Sequence, residues 1–337
     1  MRSSRAKESV VIAKRLMISA LCVWLMMLIL SLVCPAQAQT PLGCLGLKAR
    51  QPDDLAPPMP RERIRELGIR SVAVSRHPVG ADGIEGKGTE ILLIEYDRSG
   101  NVALQTQLGE GGLDLSRPMY RYDSEGRIAE AEYPPGQMAG ISKITCHYDN
   151  EGRLTESVSH LRDGTRGPTV RYQYDASGRP VKVSTVTLEG DVLNGVTFEH
   201  DPDGNISRVV IQGPGGESTL STTVSAHDPS GRPTEQITAD NEGHVLARTT
   251  YTYNAAGNPT EIAAFNGEGR VVSLSSYSYG ERGNITQMVQ AYPAAKLRIR
   301  TDLRYNADGN LLEQVLYNKL NRPVEIIKYV YDHYRDR

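Results

Sequence analysis

Nine glycines punctuate this chain at Gly100, Gly126, Gly152, Gly178, Gly204, Gly231, Gly257, Gly283 and Gly309, each 26 residues from the next except for one interval of 27. A fixed period of that length means one supersecondary unit is copied along the chain. Each copy can bury its apolar face only against its neighbours. The same pattern surrounds every glycine: Tyr or His, then Asp or Asn, two variable residues, Gly, then Asn or Arg. Tyr148-Asp149-Asn150-Glu151-Gly152-Arg153 is one copy, Gly280 takes the second place once, and Tyr331-Asp332 is a truncated last copy. Asp or Asn folds its side chain onto backbone N–H groups further along, as an Asx-turn. Gly supplies the positive φ that closes a short hairpin loop. Asp97, Asp123, Asp149, Asp175, Asp201, Asp228, Asn254 and Asn306 are therefore read as structural turn caps.

A second turn signal lies midway between successive glycines, as at Asp163-Gly164, Glu189-Gly190, Pro214-Gly215-Gly216, Asn241-Glu242-Gly243 and Asn266-Gly267-Glu268-Gly269; Gly109-Glu110-Gly111-Gly112 and Pro134-Pro135-Gly136 serve the earlier repeats. The intervening residues alternate as strands do, for example Thr260 to Ala264 and Val271 to Tyr279. Each repeat is thus two strands and two turns, and the copies give roughly eighteen strands. The predicted fold is all-β: tandem two-stranded repeats of 26 residues in a long, twisted or coiled antiparallel β-meander strip. At the usual strand spacing a flat strip would run to about 85 Å. Long open sheets curl or split, so it should coil with one face inward.

The tyrosines set which face that is. Of 17, eight precede the Asp, Asn or Gly of the motif and five more stand two residues earlier, as in Tyr251-Thr252-Tyr253. Residues two apart on a strand share a face, so they form one packing stripe. The only Trp, Trp24, lies near the N-terminus, and Phe198 and Phe265 are the only phenylalanines. Tyr, Val, Ile and Leu must supply the core.

These motifs resemble the YD-repeat family, also called Rhs (rearrangement hot spot) repeats, over residues 91 to 334. The resemblance implies a coiling strip of antiparallel strands, which in large members encloses a hollow shell. Large toxin-bearing members close that shell with an Asp-Pro-x-Gly-Leu type motif followed by a toxin domain. The nearest match here, Asp228-Pro229-Ser230-Gly231-Arg232, stands inside the array in an ordinary turn position, and only a short tail follows the last repeat. A released toxin is not expected.

Residues 1 to 38 read as a signal peptide or an uncleaved anchor: Arg2, Arg5, Lys7, Lys14 and Arg15 precede an apolar run from 16 to 34, and Ala36-Gln37-Ala38 offers a cleavage site. The membrane is then a partner only if the segment stays uncleaved. The chain is expected to be exported to the periplasm, the cell surface or the medium. Residues 39 to 60 form a Pro-rich linker, 61 to 90 an N-terminal cap region, and 91 to 337 the repeat array. Within the cap, Arg61 to Leu67 suits a short helix stopped by Gly68, and Ser71 to Ser75 a strand. It would cover the first edge of the strip, and the charges of Asp332 to Arg337 would discourage pairing at the other.

Beyond residue 38, acidic residues outnumber basic ones by six. That balance argues against nucleic acid as a partner. Cys44 and Cys146 could form a disulfide after export or remain two free thiols.

No catalytic, cofactor or metal site is predicted. Equivalent turn Asp residues lie two strands apart, about 9.6 Å, too far to share a calcium ion. His200 and His227 stand where other repeats carry Tyr, with no third ligand in spacing, and read as replacements for it. The sequons at Asn205 and Asn284 coincide with turn positions. Glycosidase chemistry would need two carboxylates flanking a cleft, and the acids here follow the repeat. The expected function is a non-catalytic exported scaffold presenting an extended surface to a protein or a cell-envelope glycan. A shell fragment or accessory of a polymorphic-toxin system is the alternative, and a hydrolase with an unrecognised carboxylate site is a further one.

Overall fold

The computed structural model describes residues 59–108, 114–116, 119–135 and 140–334. The signal segment, Cys44 and the linker up to residue 58 lie outside the described residues, as does the 109–112 turn. One helix comes first, α1 (Arg61–Glu66), which follows Pro60 and ends before Gly68 at φ 62°. The strands are β1 (Ile69–Pro78), β2 (Thr89–Tyr96), β3 (Val102–Leu108), β4 (Asp114–Ser116), β5 (Met119–Tyr122) and β6 (Ile128–Glu132). Then come β7 (Ile141–Tyr148), β8 (Leu154–Leu161), β9 (Arg166–Tyr174), β10 (Pro180–Val186), β11 (Val192–His200), β12 (Ile206–Gln212) and β13 (Ser218–His227). The last are β14 (Pro233–Asp240), β15 (Val245–Tyr253), β16 (Pro259–Asn266), β17 (Val271–Tyr279), β18 (Ile285–Tyr292), β19 (Leu297–Tyr305), β20 (Leu311–Tyr317) and β21 (Pro323–His333). β4 and β5 together take the place of one strand of the repeat.

All 21 strands belong to one sheet. Sequential strands pair antiparallel along the repeats, as in β7–β8, β15–β16 and β20–β21. The sequence pattern does not show how the strip ends. β1 pairs with β2 on one side and with β21 on the other, so the sheet returns on itself. Two open edges were expected, one capped and one guarded by charge; instead one inserted strand consumes both. Unpaired edge groups are a liability that closure removes. Val72 and Val74 of β1 are 1% and 0% exposed, beside buried Leu92, Ile94 and Tyr329. Ion pairs join the same neighbours: Arg76 to Glu325 at 3.2 Å, Arg70 to Asp332 at 3.3 Å, and Lys328 to Glu85 at 2.6 Å. Exposed pairs of this kind contribute little energy; the buried valines account for most of the attachment.

The inner face is apolar with polar lanes. Tyr251, Tyr277, Met288, Leu303 and Ile327 are buried there. Two buried glutamines partner tyrosines fifteen residues away: Tyr251 Oη donates to Gln236 Oε1 at 2.7 Å, and Gln314 Nε2 donates to Tyr329 Oη. A buried phenol costs stability unless it finds such a partner.

Turns between antiparallel strands alternate ends. Among the described residues, the Tyr-Asp turns therefore lie on one rim of the wall and the midway turns on the other.

Candidate functional site

The Tyr-Asp rim is the most organised part of the molecule. In each copy the register slips by one residue just before the motif aromatic, as between His147 and Tyr148, so that Tyr148 faces Leu154 across the loop. Asp149 N–H then donates to the Arg153 carbonyl at 2.9 Å, and Gly152 N–H to the Asp149 carbonyl at 3.0 Å. This is a tight turn followed by a bulge, and Gly152 at φ 80° is the residue that permits it. All nine motif glycines lie between 75° and 90°.

The acids and amides cap these turns. Oδ1 of Asp97 accepts from Ser99 and Asn101 N–H, Asp123 from Glu125 and Arg127, and Asp149 from Glu151 and Arg153. Asp175 accepts from Ser177 and Arg179, Asp201 from Asn205, and Asp228 from Ser230 and Arg232. Asn254 accepts from Ala256 and Asn258, and Asn306 from Asn310. The Arg153 backbone N–H holds the Asp149 carboxyl below its ordinary pKa, against the opposing effect of burial. For Asp228 the Arg232 side chain is the main cause of the same lowering.

Sequence reasoning missed what the arginine after the glycine does. Arg127, Arg153 and Arg179 each bind their own turn Asp through Nε at 2.7 Å, and Arg232 binds Asp228. The same guanidinium then lies over the tyrosine of the next repeat: Arg127 over Tyr148 at 4.5 Å, Arg153 over Tyr174 at 5.2 Å, Arg232 over Tyr253 at 4.6 Å. That tyrosine completes the link. Its hydroxyl donates to a carbonyl twenty residues back, from Tyr148 to Ile128 at 2.8 Å and from Tyr253 to Pro233 at 2.7 Å. Tyr122, Tyr174, Tyr279, Tyr305 and Tyr331 do the same to Val102, Leu154, Pro259, Ile285 and Leu311. Three repeat boundaries thus carry a full rung of Asp, Arg, Tyr and a backbone carbonyl, and the others with a motif tyrosine keep the tyrosine-to-carbonyl part. The four-residue spacing of Asp and Arg, present in four of the nine copies, was the signal that pointed to it.

At His200 and His227 the phenol is missing, and among the described residues neither imidazole takes its place on a carbonyl twenty residues back. They interrupt the rungs in adjacent repeats. Where the ring of strands closes, a substitute rung appears. Tyr334 Oη donates to the Tyr96 carbonyl, and Arg98 lies 4.6 Å over its ring.

Helix α1 lies on this rim. Arg61 donates to the carbonyls of Ser99 and Gly126, and Arg63 to that of Asp308. It spans turns from the first two repeats and from the last full one. Asn101 and Asn310 are buried beneath this end of the wall.

The opposite rim is different. Asp163, Asp240, Asn266 and Asn318 cap several of its turns in the same way. Two of its turns contain a short 3-10 helix, Pro214–Gly216 and Pro293–Ala295, but no α-helix crosses it among the described residues, and large apolar side chains are exposed beside its turns, among them Leu188, Leu246, Val272 and Leu320.

A recess of about 730 Å³ opens between β5, β6, β7 and β8. Among the described residues Glu132 is the one acid lining it, and Arg121 binds that carboxylate at 3.0 Å. Two carboxylates facing a bound sugar, as glycoside hydrolysis needs, are not brought together there. Among the described residues no group of three or more His, Cys, Asp or Glu could hold a metal ion, and no helix is long and apolar enough to cross a membrane. Cys146 is partly buried, 3.9 Å from Ser157 Oγ; its suggested partner Cys44 lies outside the described residues. Burial pushes the Cys146 thiol pKa up.

Residues 84–226 match the family model described as Teneurin YD-shell, and residues 227–268 the model described as RHS Repeat. No curated protein matches the sequence at a significant level. Among solved structures, the chain is similar to one in the crystal structure of TcdB2-TccC3-Cdc42, at 12% identity and a TM-score of 0.27, over 71% of this chain and 16% of that one. It is similar to a chain of the Photorhabdus luminescens Tc holotoxin pore, at 12% identity and a TM-score of 0.30, over 74% and 18%. A porin-like protein from Bacteroides uniformis matches at 9% identity and a TM-score of 0.36, over 78% and 98%. The chain spans less than a fifth of the two Tc chains it matches.

Proposed function

We propose, for a chain that belongs to the YD-repeat (Rhs-repeat) family, that it works as an accessory wall of a toxin system: a short shell unit, closed on itself by its N-terminal strand. The repeats form a non-catalytic β scaffold. The closure carries the finer reading, because β1 lies between β2 and β21 and leaves no open strip for a ligand to lie along. The Teneurin YD-shell match over 84–226 supports a shell rather than a free binding ribbon.

Members of this family are in general extracellular, cell-surface or secreted components, and we place this chain in the periplasm or at the cell surface. Its partners are proteins on this reading. An envelope glycan is less favoured, because the tyrosines that would stack on sugars are tied to backbone carbonyls.

The role and the closure are tested separately. Loss of the chain should reduce delivery of, or protection from, a toxin encoded beside it. A genomic neighbourhood with neither toxin nor immunity gene would sink the accessory role. For the closure, Ala73 and Val330 are cross-strand partners. The pair Ala73→Cys and Val330→Cys should oxidise to an intramolecular disulfide, seen as a mobility shift on a non-reducing gel. Absence of that crosslink would mean an open strip.

A further inference from the structure

The rim opposite the Tyr-Asp turns carries surface that its own wall does not use. Ile84, Leu188, Leu246, Val272, Leu297 and Leu320 lie beside six of its turns, and Ile84 and Leu320 are 67% and 66% exposed. Single exposed apolar residues need no explanation, but a row of them on one rim marks an interaction surface. The rim is also open at the backbone: a Cβ placed on Gly190, Gly243 or Gly269 meets nothing within 4 Å.

From β10 to β21 the charges on this rim are sorted, whereas the β1–β2 turn (Asp82, Glu85, Lys87) and the β8–β9 turn (Arg162, Asp163) are mixed. The turns between β10 and β11, β12 and β13, and β14 and β15 carry Glu189, Asp191, Glu217, Asp240 and Glu242, with no Lys or Arg. The next turn is neutral, Glu268 pairing with Arg270. The following two carry Lys296, Arg298, Lys319 and Arg322, with no acid. None of those four cations has an ion-pair partner among the described residues, whereas the arginines after the Tyr-Asp glycines mostly do. Grouping like charges costs energy within one chain. It is offset if an acidic arc meets a basic one.

We propose that this rim docks on the same rim of a second copy of the chain. A two-fold axis lying in the plane of the rim, midway between the arcs, exchanges them. It sets each acidic arc on the partner's basic arc and stacks the apolar residues between. Closed two-fold pairing of one self-complementary patch is the commonest way for a chain to dimerise. Complementary charge then fixes the angular register of the two rings and speeds their encounter. The inference rests on the wall being closed, since an open strip would not hold the two arcs at fixed positions.

The test is the mass in solution of the full chain as recovered after export, by sedimentation and light scattering across a concentration series. A doubled mass is expected, with dissociation favoured by salt. Lys296→Glu with Arg298→Glu and Lys319→Glu should weaken the dimer at least tenfold. Adding Glu189→Lys, Asp191→Lys and Glu242→Lys to that chain should restore it, which a variant that had merely misfolded would not do. Leu246→Ser with Val272→Ser should also give monomers, with the same unfolding midpoint as the wild-type chain diluted until it is monomeric. A wild-type monomer at every concentration overturns the proposal, and so does a dimer that ignores the charge reversal. A monomer whose amides near Leu246 and Val272 still resist hydrogen exchange assigns the rim to the chain's own residues 1–58 instead. Charge-independent capture by lipid vesicles assigns it to a membrane. The Ala73–Val330 crosslink reports closure in all of these cases, so failure of the dimer is distinguishable from failure of the closed wall.

Discussion

The two rims are built from the same kind of hairpin, yet one is knitted by a recurring side-chain link and the other only in places. On the Tyr-Asp rim, Gly100 faces helix α1, and a Cβ there would come within 2.4 Å of the Arg61 carbonyl oxygen. On the opposite rim, Gly190 has the same positive φ and open space around it. Both turns satisfy their local backbone, since Asp or Asn caps serve either end. The difference is what connects one turn to the next. Arg153 reaches from Asp149 to Tyr174 and so crosses a repeat boundary. On the second rim such reaches are isolated: Arg162 donates to the Pro134 carbonyl and Arg300 to Asn321 Oδ1, with no rung that recurs from repeat to repeat among the described residues. Local turn chemistry makes a hairpin; only side chains long enough to cross to the next hairpin make a rim.

The glycines offer the sharpest contrast. Gly100→Ala should cost about 3 kcal/mol, from both the strained φ and the collision with α1. Gly190→Ala meets only the φ penalty, about 1 kcal/mol. Urea unfolding of the two variants measures the gap, and equal losses would mean that α1 does not clasp the Tyr-Asp rim.

The rungs come next in size. Tyr148→Phe removes the hydrogen bond to the Ile128 carbonyl and should cost about 1 kcal/mol. In the reverse direction, His200→Tyr should add about 0.5 to 1 kcal/mol by supplying a missing rung. A loss of stability in His200→Tyr would show that those repeats are built around the imidazole.

pH should act on the same rim from both sides. The lowered Asp149, Asp175 and Asp228 carboxyls favour the folded state above the ordinary aspartate pKa, and that contribution disappears as pH falls through their lower folded values. Tyr253 is pushed up to about 12 by burial. Its contribution is complete below pH 10 and is lost as pH rises from there through about 12. Thermal melts should therefore fall off at both extremes. Replacing Asp149 by Asn should flatten the acid side, and an unchanged acid limb would remove the turn carboxylates as its cause.

The smallest effect is expected on the other rim. Leu246→Ser and Val272→Ser should each change monomer stability by no more than about 0.5 kcal/mol, because both side chains are already in water. A loss well above that would show that these residues pack against their own wall.

Much of this was legible in the residues. The period marks every hairpin from Tyr96 onwards, since Asx caps and positive-φ glycines act within five or six residues and need no distant partner. The tyrosine face was legible for the same reason: alternation on a strand is a local rule. The rungs were half visible. The spacing of Asp149 and Arg153 is written in the chain, but the stacking of Arg153 on Tyr174 depends on how far neighbouring strands are offset. The apolar rim was not visible, because Leu246 and Val272 follow their turns as any strand residue would.

By itself, then, the sequence determined a run of two-stranded units and the direction each side chain takes. Tertiary structure alone decided that the run closes. Ile69 to Pro78 lie over two hundred residues from β21, and nothing local tells a strand which of two distant edges it will join. Burying Val72 and Val74 while pairing both edges is the arrangement that satisfies the most backbone hydrogen bonds, and it can be reached only once all the repeats are in place. That same closure fixes the two charged arcs of the free rim relative to each other.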